Sequence, residues 1–172
     1  MTNRSEVIEG ADQRRGNGLP SLIFWVLLSL SAGFLGALTS LPGPWYARLE
    51  KPAWTPPNWV FGPAWTCLYL IMGIAAWLVW RRRDQRPGPA RSAIRLFLIQ
   101  LALNAAWSWL FFGLKRPDVA FAEIVVLWTL ILIMVFAFAR VRALAGLLIL
   151  PYLAWVTFAA ALNASIWLHN LG

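Results

Sequence analysis

The chain has 172 residues, of which 60% are hydrophobic and only 13% charged, and its mean hydropathy is +0.63. Charges that sparse cannot cover the water-facing surface of a soluble domain of this size, so the composition excludes one and points to a single integral membrane domain. The net charge of +8 comes largely from arginines clustered in short segments between apolar runs, which is a pattern of membrane topology rather than of nucleic-acid binding.

Residues 1–18 are polar, carry Arg4, Arg14 and Arg15, and read as an N-terminal tail ahead of a membrane domain spanning 19–172. Leu19 to Leu41 is 23 residues without a charge, too long for a signal-peptide core and without a small-x-small cleavage site, so 19–41 is the first span. Its small residues Ser29, Ala32, Gly33, Gly36 and Ala37 allow a neighbouring helix to approach closely. Pro42-Gly43-Pro44 stops it, and a loop carrying Trp45, Tyr46, Arg48, Glu50 and Lys51 follows.

Lys51 to Tyr69, KPAWTPPNWVFGPAWTCLY, holds four prolines and three tryptophans (Trp54, Trp59 and Trp65). Proline suits a helix's first turn, so Thr55 is predicted to cap a helix whose first residues are Pro56 and Pro57. The second span then covers about 57–80 and ends at Arg81-Arg82-Arg83, with 84–91 a basic connector. A stiff aromatic lead-in of this kind fits two readings: a tryptophan belt at the membrane interface, or the wall of a pocket for a flat, apolar ligand.

The third span is placed at 94–114. Lys115-Arg116-Pro117-Asp118 is a tight turn, and the fourth span runs over about 119–139. Glu123 lies near its start, where its carboxylate is expected to reach headgroups or water. Arg140 and Arg142 close that span. Residues 143–172 contain no Lys, Arg, Asp or Glu and give the fifth span, about 144–168, with a kink expected at Pro151. The fold class is therefore an all-α bundle of five transmembrane helices. Eleven positive residues fall on the side of the N-terminal tail and four on the other, so the positive-inside rule places the N-terminus in the cytoplasm. There is no internal repeat to support an inverted-repeat transporter. Single Cys67 excludes an intrachain disulfide and a multi-cysteine metal motif, and His169, the only histidine, lies close to the C-terminus; no metal site is expected. Cys67 and Met72 are assigned to packing.

Polar residues inside the spans fall on defined faces. Gln100, Asn104, Trp107, Ser108 and Phe111 share one face of the third helix, Trp155, Ala159 and Asn163 one face of the fifth, and Trp65 and Tyr69 one face of the second. An amide in hydrocarbon must find a partner, so Asn104 and Asn163 should face the bundle interior. Helix-to-helix hydrogen bonding would account for that, and so would a pocket in which indole N–H groups and Asn104 meet a ligand's polar atoms, with Ala159 leaving room beside Trp155.

Trp45-Tyr46, KPAWTPPNWVFGPAWTCLYLIMG, LALNAAWSWLFFG and PYLAWVTFAAALN together resemble the TspO/MBR family of translocator proteins, also called tryptophan-rich sensory proteins or peripheral benzodiazepine receptors, over roughly residues 20–168. The resemblance implies a five-helix membrane bundle, a homodimer, and a pocket for porphyrins such as protoporphyrin IX and for isoquinoline- or benzodiazepine-type ligands. It assigns ligand hydrogen bonding to Trp65 and Asn104 and the pocket wall to Trp45, Tyr46, Trp107, Trp155 and Ala159. Trp54, Tyr69, Gln100, Ser108 and Asn163 complete the candidate ligand-binding set. The mammalian cholesterol-associated pattern near the end of the last helix is not matched: LNASIWLHN has neither the Tyr nor the Arg or Lys, so sterol is not the expected ligand.

The resulting expectation is a tetrapyrrole-binding membrane sensor or transporter without a cofactor or catalytic residue, resident in a bacterial inner membrane, the outer membrane being the other possibility. The alternatives are a light-dependent porphyrin-degrading enzyme that uses Trp65 and Trp155, and a structural partner of another membrane complex.

Overall fold

The computed structural model describes residues 18–39 and 43–171; the tail expected over 1–17 lies outside the described residues. Its helices are α1 (Gly18–Thr39), the short α2 (Pro44–Arg48), a 3-10 turn (Asn58–Val60) leading into α3 (Phe61–Trp80), α4 (Pro87–Ser108) continued by a π-helical turn (Trp109–Gly113), α5 (Pro117–Val141) and α6 (Ala143–His169). Five of these stretches are long and apolar enough to cross a membrane.

Several boundaries differ from the sequence expectation, and proline explains most of them. Thr55 caps no helix; its Oγ1 donates to the Pro52 carbonyl at 2.7 Å, forming a turn. Pro57 is extended, at φ −55° and ψ 143°; each proline pushes its predecessor out of the α region, which keeps Thr55 and Pro56 from opening a helix. Conversely, α4 starts at Pro87, inside the expected connector, and α5 at Pro117, inside the expected turn. At a first helical position the missing N–H costs nothing. The expected loop after α1 contains the turn of α2, which also begins on a proline. The reversal after the π turn is made by Lys115 at φ 55°. Helix α6 continues through Pro151, which is exposed.

The long helices form a closed ring in the order α1, α3, α6, α5, α4, with α4 returning to α1. Its contacts are close where side chains are small. A Cβ built on Gly73 of α3 would lie 2.7 Å from the Val26 backbone of α1, and one on Gly146 of α6 would lie 2.8 Å from the Val135 carbonyl of α5. Met72, Ala75, Phe97, Ile131, Phe138 and Tyr152 are fully buried where the helices meet. Cys67, expected in the packing, is instead exposed on α3. The arginines of 81–95 and 140–142 mark one end of the ring, and α2 with the proline-rich segment marks the other.

Candidate functional site

A cavity of about 540 Å³ occupies the end of the ring that carries α2 and the proline-rich segment. It is walled by the last turns of α1, the start of α3, the end of α4 with its π turn, and the last half of α6; α5 contributes nothing to it.

Its floor is a chain of buried polar groups. The Tyr69 hydroxyl donates to Asn104 Oδ1, Asn104 Nδ2 donates to the Tyr152 hydroxyl at 3.0 Å, and that hydroxyl donates to Gln100 Oε1 at 2.9 Å. Gln100 Nε2 faces the Met72 sulfur at 3.9 Å. Three helices thus satisfy one another's polar atoms where water is excluded.

The walls are aromatic. Trp65 stacks on Tyr69 with ring centroids 5.6 Å apart and meets Trp155 edge-on at 6.3 Å. Opposite, Trp107 stacks on Phe111 at 5.2 Å, while its indole N–H donates to Asn163 Oδ1 at 3.0 Å and Asn163 Nδ2 donates to the Pro117 carbonyl at 2.8 Å. The π turn brings Phe111 and Phe112 to the same wall, and Tyr46 of α2 packs against Phe112 at 5.4 Å. Burial pushes the Tyr46 phenol up from its ordinary pKa, so it stays a neutral hydroxyl. Lys51 Nζ lies 4.8 Å over the Tyr46 ring. Asn170, at the end of α6, holds this segment in place: its Oδ1 accepts from the Glu50 N–H at 3.1 Å and its Nδ2 donates to the Glu50 carbonyl at 3.0 Å.

Two asymmetries follow. The amide oxygens of Asn104 and Asn163 already accept from Tyr69 and Trp107. The indole N–H of Trp155 is buried without a partner. Both amides also donate, Asn104 to Tyr152 and Asn163 to the Pro117 carbonyl, so among the described residues the Trp155 N–H is the buried polar atom of the wall left without a partner.

The geometry sits within a sequence related to known proteins. The profile of the TspO/MBR family matches residues 25–168. The chain belongs to the TspO/MBR family. It is 42% identical over 152 residues to the tryptophan-rich protein TspO of Chlorobaculum tepidum, covering 85% of this chain and 93% of that one. Against the TspO of Archaeoglobus fulgidus it is 40% identical over 151 residues, covering 87% and 96% of the two chains. Against the translocator protein of Sus scrofa it is 38% identical over 156 residues, covering 90% and 92%. It is accordingly a TspO-type, multi-pass membrane protein.

Within this TspO-type bundle, nine residues of the expected set line the cavity: Tyr46, Trp65, Tyr69, Asn104, Trp107, Ser108, Trp155, Ala159 and Asn163. Gln100 lies one helical turn behind Asn104, fully buried and bonded to Tyr152. Trp45 packs edge-on against Phe111 at 5.9 Å and Trp54 against Phe158 at 5.8 Å, both outside the lining. Sequence reasoning left out Tyr152, although it precedes Trp155 by one turn on the same α6 face. It also left out the α1 wall, where Gly33 lies directly against the Tyr69 ring and a Cβ on Gly36 would lie 3.1 Å from Ser108 Oγ.

Proposed function

We propose that this cavity binds a porphyrin such as protoporphyrin IX, or a related tetrapyrrole, and that the protein acts as a membrane sensor or transporter for it. The observation that carries this reading is the pair of stacked aromatic walls, Trp65 on Tyr69 and Trp107 on Phe111, lining a cavity beside which the Trp155 N–H has no partner. A tetrapyrrole is flat and apolar on its faces, with acceptor nitrogens and carboxylates at its centre and edge, so rings grip the faces and N–H groups meet the acceptors. Isoquinoline- and benzodiazepine-type molecules share that plan on a smaller scale. The eleven positive residues on the side of the N-terminal tail, against four on the other, support a cytoplasmic N-terminus, and the helical bundle supports a bacterial inner membrane. A homodimer belongs to the same proposal, on the resemblance.

Light-dependent degradation of the bound porphyrin is the second reading. The 6.3 Å contact between Trp65 and Trp155 supports it, since adjacent indoles on the cavity wall can relay an electron.

Quenching of tryptophan fluorescence by protoporphyrin IX, on purified protein in the dark and then in light, tests both. Saturable quenching that is weakened in Trp65→Phe, Asn104→Ala and Ala159→Phe is the expected result. Equal quenching in all four proteins would mean partitioning into detergent and end the pocket reading. Loss of the porphyrin spectrum under light in the wild type alone would establish the second.

A further inference from the structure

Glu123 is one of two acidic residues on α5, a helix that contributes nothing to the cavity lining. The buried face of that helix is Ala120, Ile124, Leu127 and Ile131, and Glu123 stands three residues after the first and four before the third, on that same face. The sequence expectation was a carboxylate reaching headgroups or water. In the structure both carboxyl oxygens are shut off from the surface and neither has a hydrogen-bond partner. The correction has a local cause: α5 packs along its length against α4 and α6, so a side chain on this face is enclosed before it can extend to the interface.

Among the described residues no cation forms an ion pair with the group, and Lys115, in the turn before α5, is exposed. The described ionisable residues of α4, Arg91 and Arg95, lie at the opposite end of the ring. Arg116, at the start of α5, is held by Asp118 at 2.6 Å. On α6, His169 is at the helix end, bonded to the Ser165 carbonyl at 2.7 Å. From α3, Tyr69 reaches inward and is held by Asn104. The buried cluster that holds Ile124 and Leu127, the neighbours of Glu123 on its helix face, also holds Tyr152 of the adjacent α6, whose hydroxyl links Asn104 to Gln100 under the cavity. An enclosed carboxylate with neither a counter-charge nor a donor is costly in a membrane interior, whereas the neutral acid is tolerated.

We propose that Glu123 is a proton-binding site built into the membrane domain, a carboxylic acid that keeps its proton in the closed bundle and is coupled to the cavity floor through Tyr152. A ligand that draws Asn104 away from Tyr152 changes the hydrogen bonding of that hydroxyl and with it the field at Glu123. The proton held here is then bound or released as the cavity fills. The coupling rests on the ligand reading of the cavity; the proton site itself does not.

Infrared difference spectroscopy of the full chain tests the two parts separately. In ligand-free protein at neutral pH, wild type minus Glu123→Gln should show the carbonyl stretch of a protonated carboxylic acid. Wild type grown on isotope-labelled glutamate should show the same band displaced, which assigns it to a glutamate even if the variant folds poorly, and retention of the band in Glu50→Gln narrows it to Glu123 among the described glutamates. A carboxylate band in its place, or modification of Glu123 by a water-soluble carbodiimide, would mean that the side chain reaches water and would overturn the site. Adding protoporphyrin IX should then shift the band in wild type and leave it unmoved in Tyr152→Phe. A band that ignores bound ligand in both proteins overturns the coupling and leaves the proton site standing. Absence of any saturable binding refutes the ligand reading instead.

Discussion

Asn104 spends both ends of its amide on neighbouring helices, accepting from Tyr69 and donating to Tyr152, and this fixes which atoms remain for anything entering the cavity. Tyr152 is the hinge of that arrangement, since its hydroxyl is at once acceptor and donor. Tyr152→Phe would leave an Asn104 N–H and the Gln100 Oε1 unpaired in positions 5% and 0% exposed. Each orphaned group costs about 1–3 kcal/mol, so a clear fall in the thermal midpoint in detergent is expected. An unchanged midpoint would show that the network does not hold the floor together. The sequence made Asn104, Trp107, Ser108 and Phe111 legible because helical periodicity puts them on one face. It could not show that Gln100, on that same face, is sealed behind the floor: depth along a helix depends on where the neighbouring helices close, and no spacing rule contains that.

The five spans were readable as elements because each is an apolar run with at most one charge, bounded by arginines or prolines. Their ends were less readable, because proline carries opposite meanings. Pro87 and Pro117 open helices, whereas the adjacent Pro56 and Pro57 hold the chain extended until Asn58. The π turn at Trp109–Gly113 has no marker in composition either, yet it aims Phe111 and Phe112 at the cavity. How helices touch gives the prediction at this scale. Gly73→Ala puts a Cβ 2.7 Å from the Val26 backbone and forces α1 away from α3, costing about 1–3 kcal/mol. Gly18→Ala, in the first turn of α1 with nothing within 4 Å of its Cβ position, should instead be close to neutral. Thermal unfolding of the two variants in parallel checks the contrast. If both destabilise alike, the α1–α3 contact is not as close as described.

At the scale of the molecule, the ring order α1, α3, α6, α5, α4 decides which helices share the cavity, and nothing in the sequence announces it. Five apolar helices of similar length can be arranged in many rings, and lipid offers no hydrophobic penalty that would single one out; small residues and paired amides do so, and those act only once neighbours are chosen. The direction proposed for the whole bundle rests on charge. In the orientation proposed above, the arginine-bearing end of the ring faces the cytoplasm, which would set α2, the proline-rich segment and the cavity near the outer face. Cys67, the single cysteine, gives a direct way to read this. In a Cys67→Ser background, Ala53→Cys in the exposed segment before α3 and Gln85→Cys in the exposed turn after it mark the two ends. A membrane-impermeant maleimide applied to cells with a permeabilised outer envelope should label position 53 and spare position 85 until the inner membrane is opened. The reverse pattern would invert the protein, and the cavity would then fill from the cytoplasm, so that any ligand it senses would have to be made or released inside the cell.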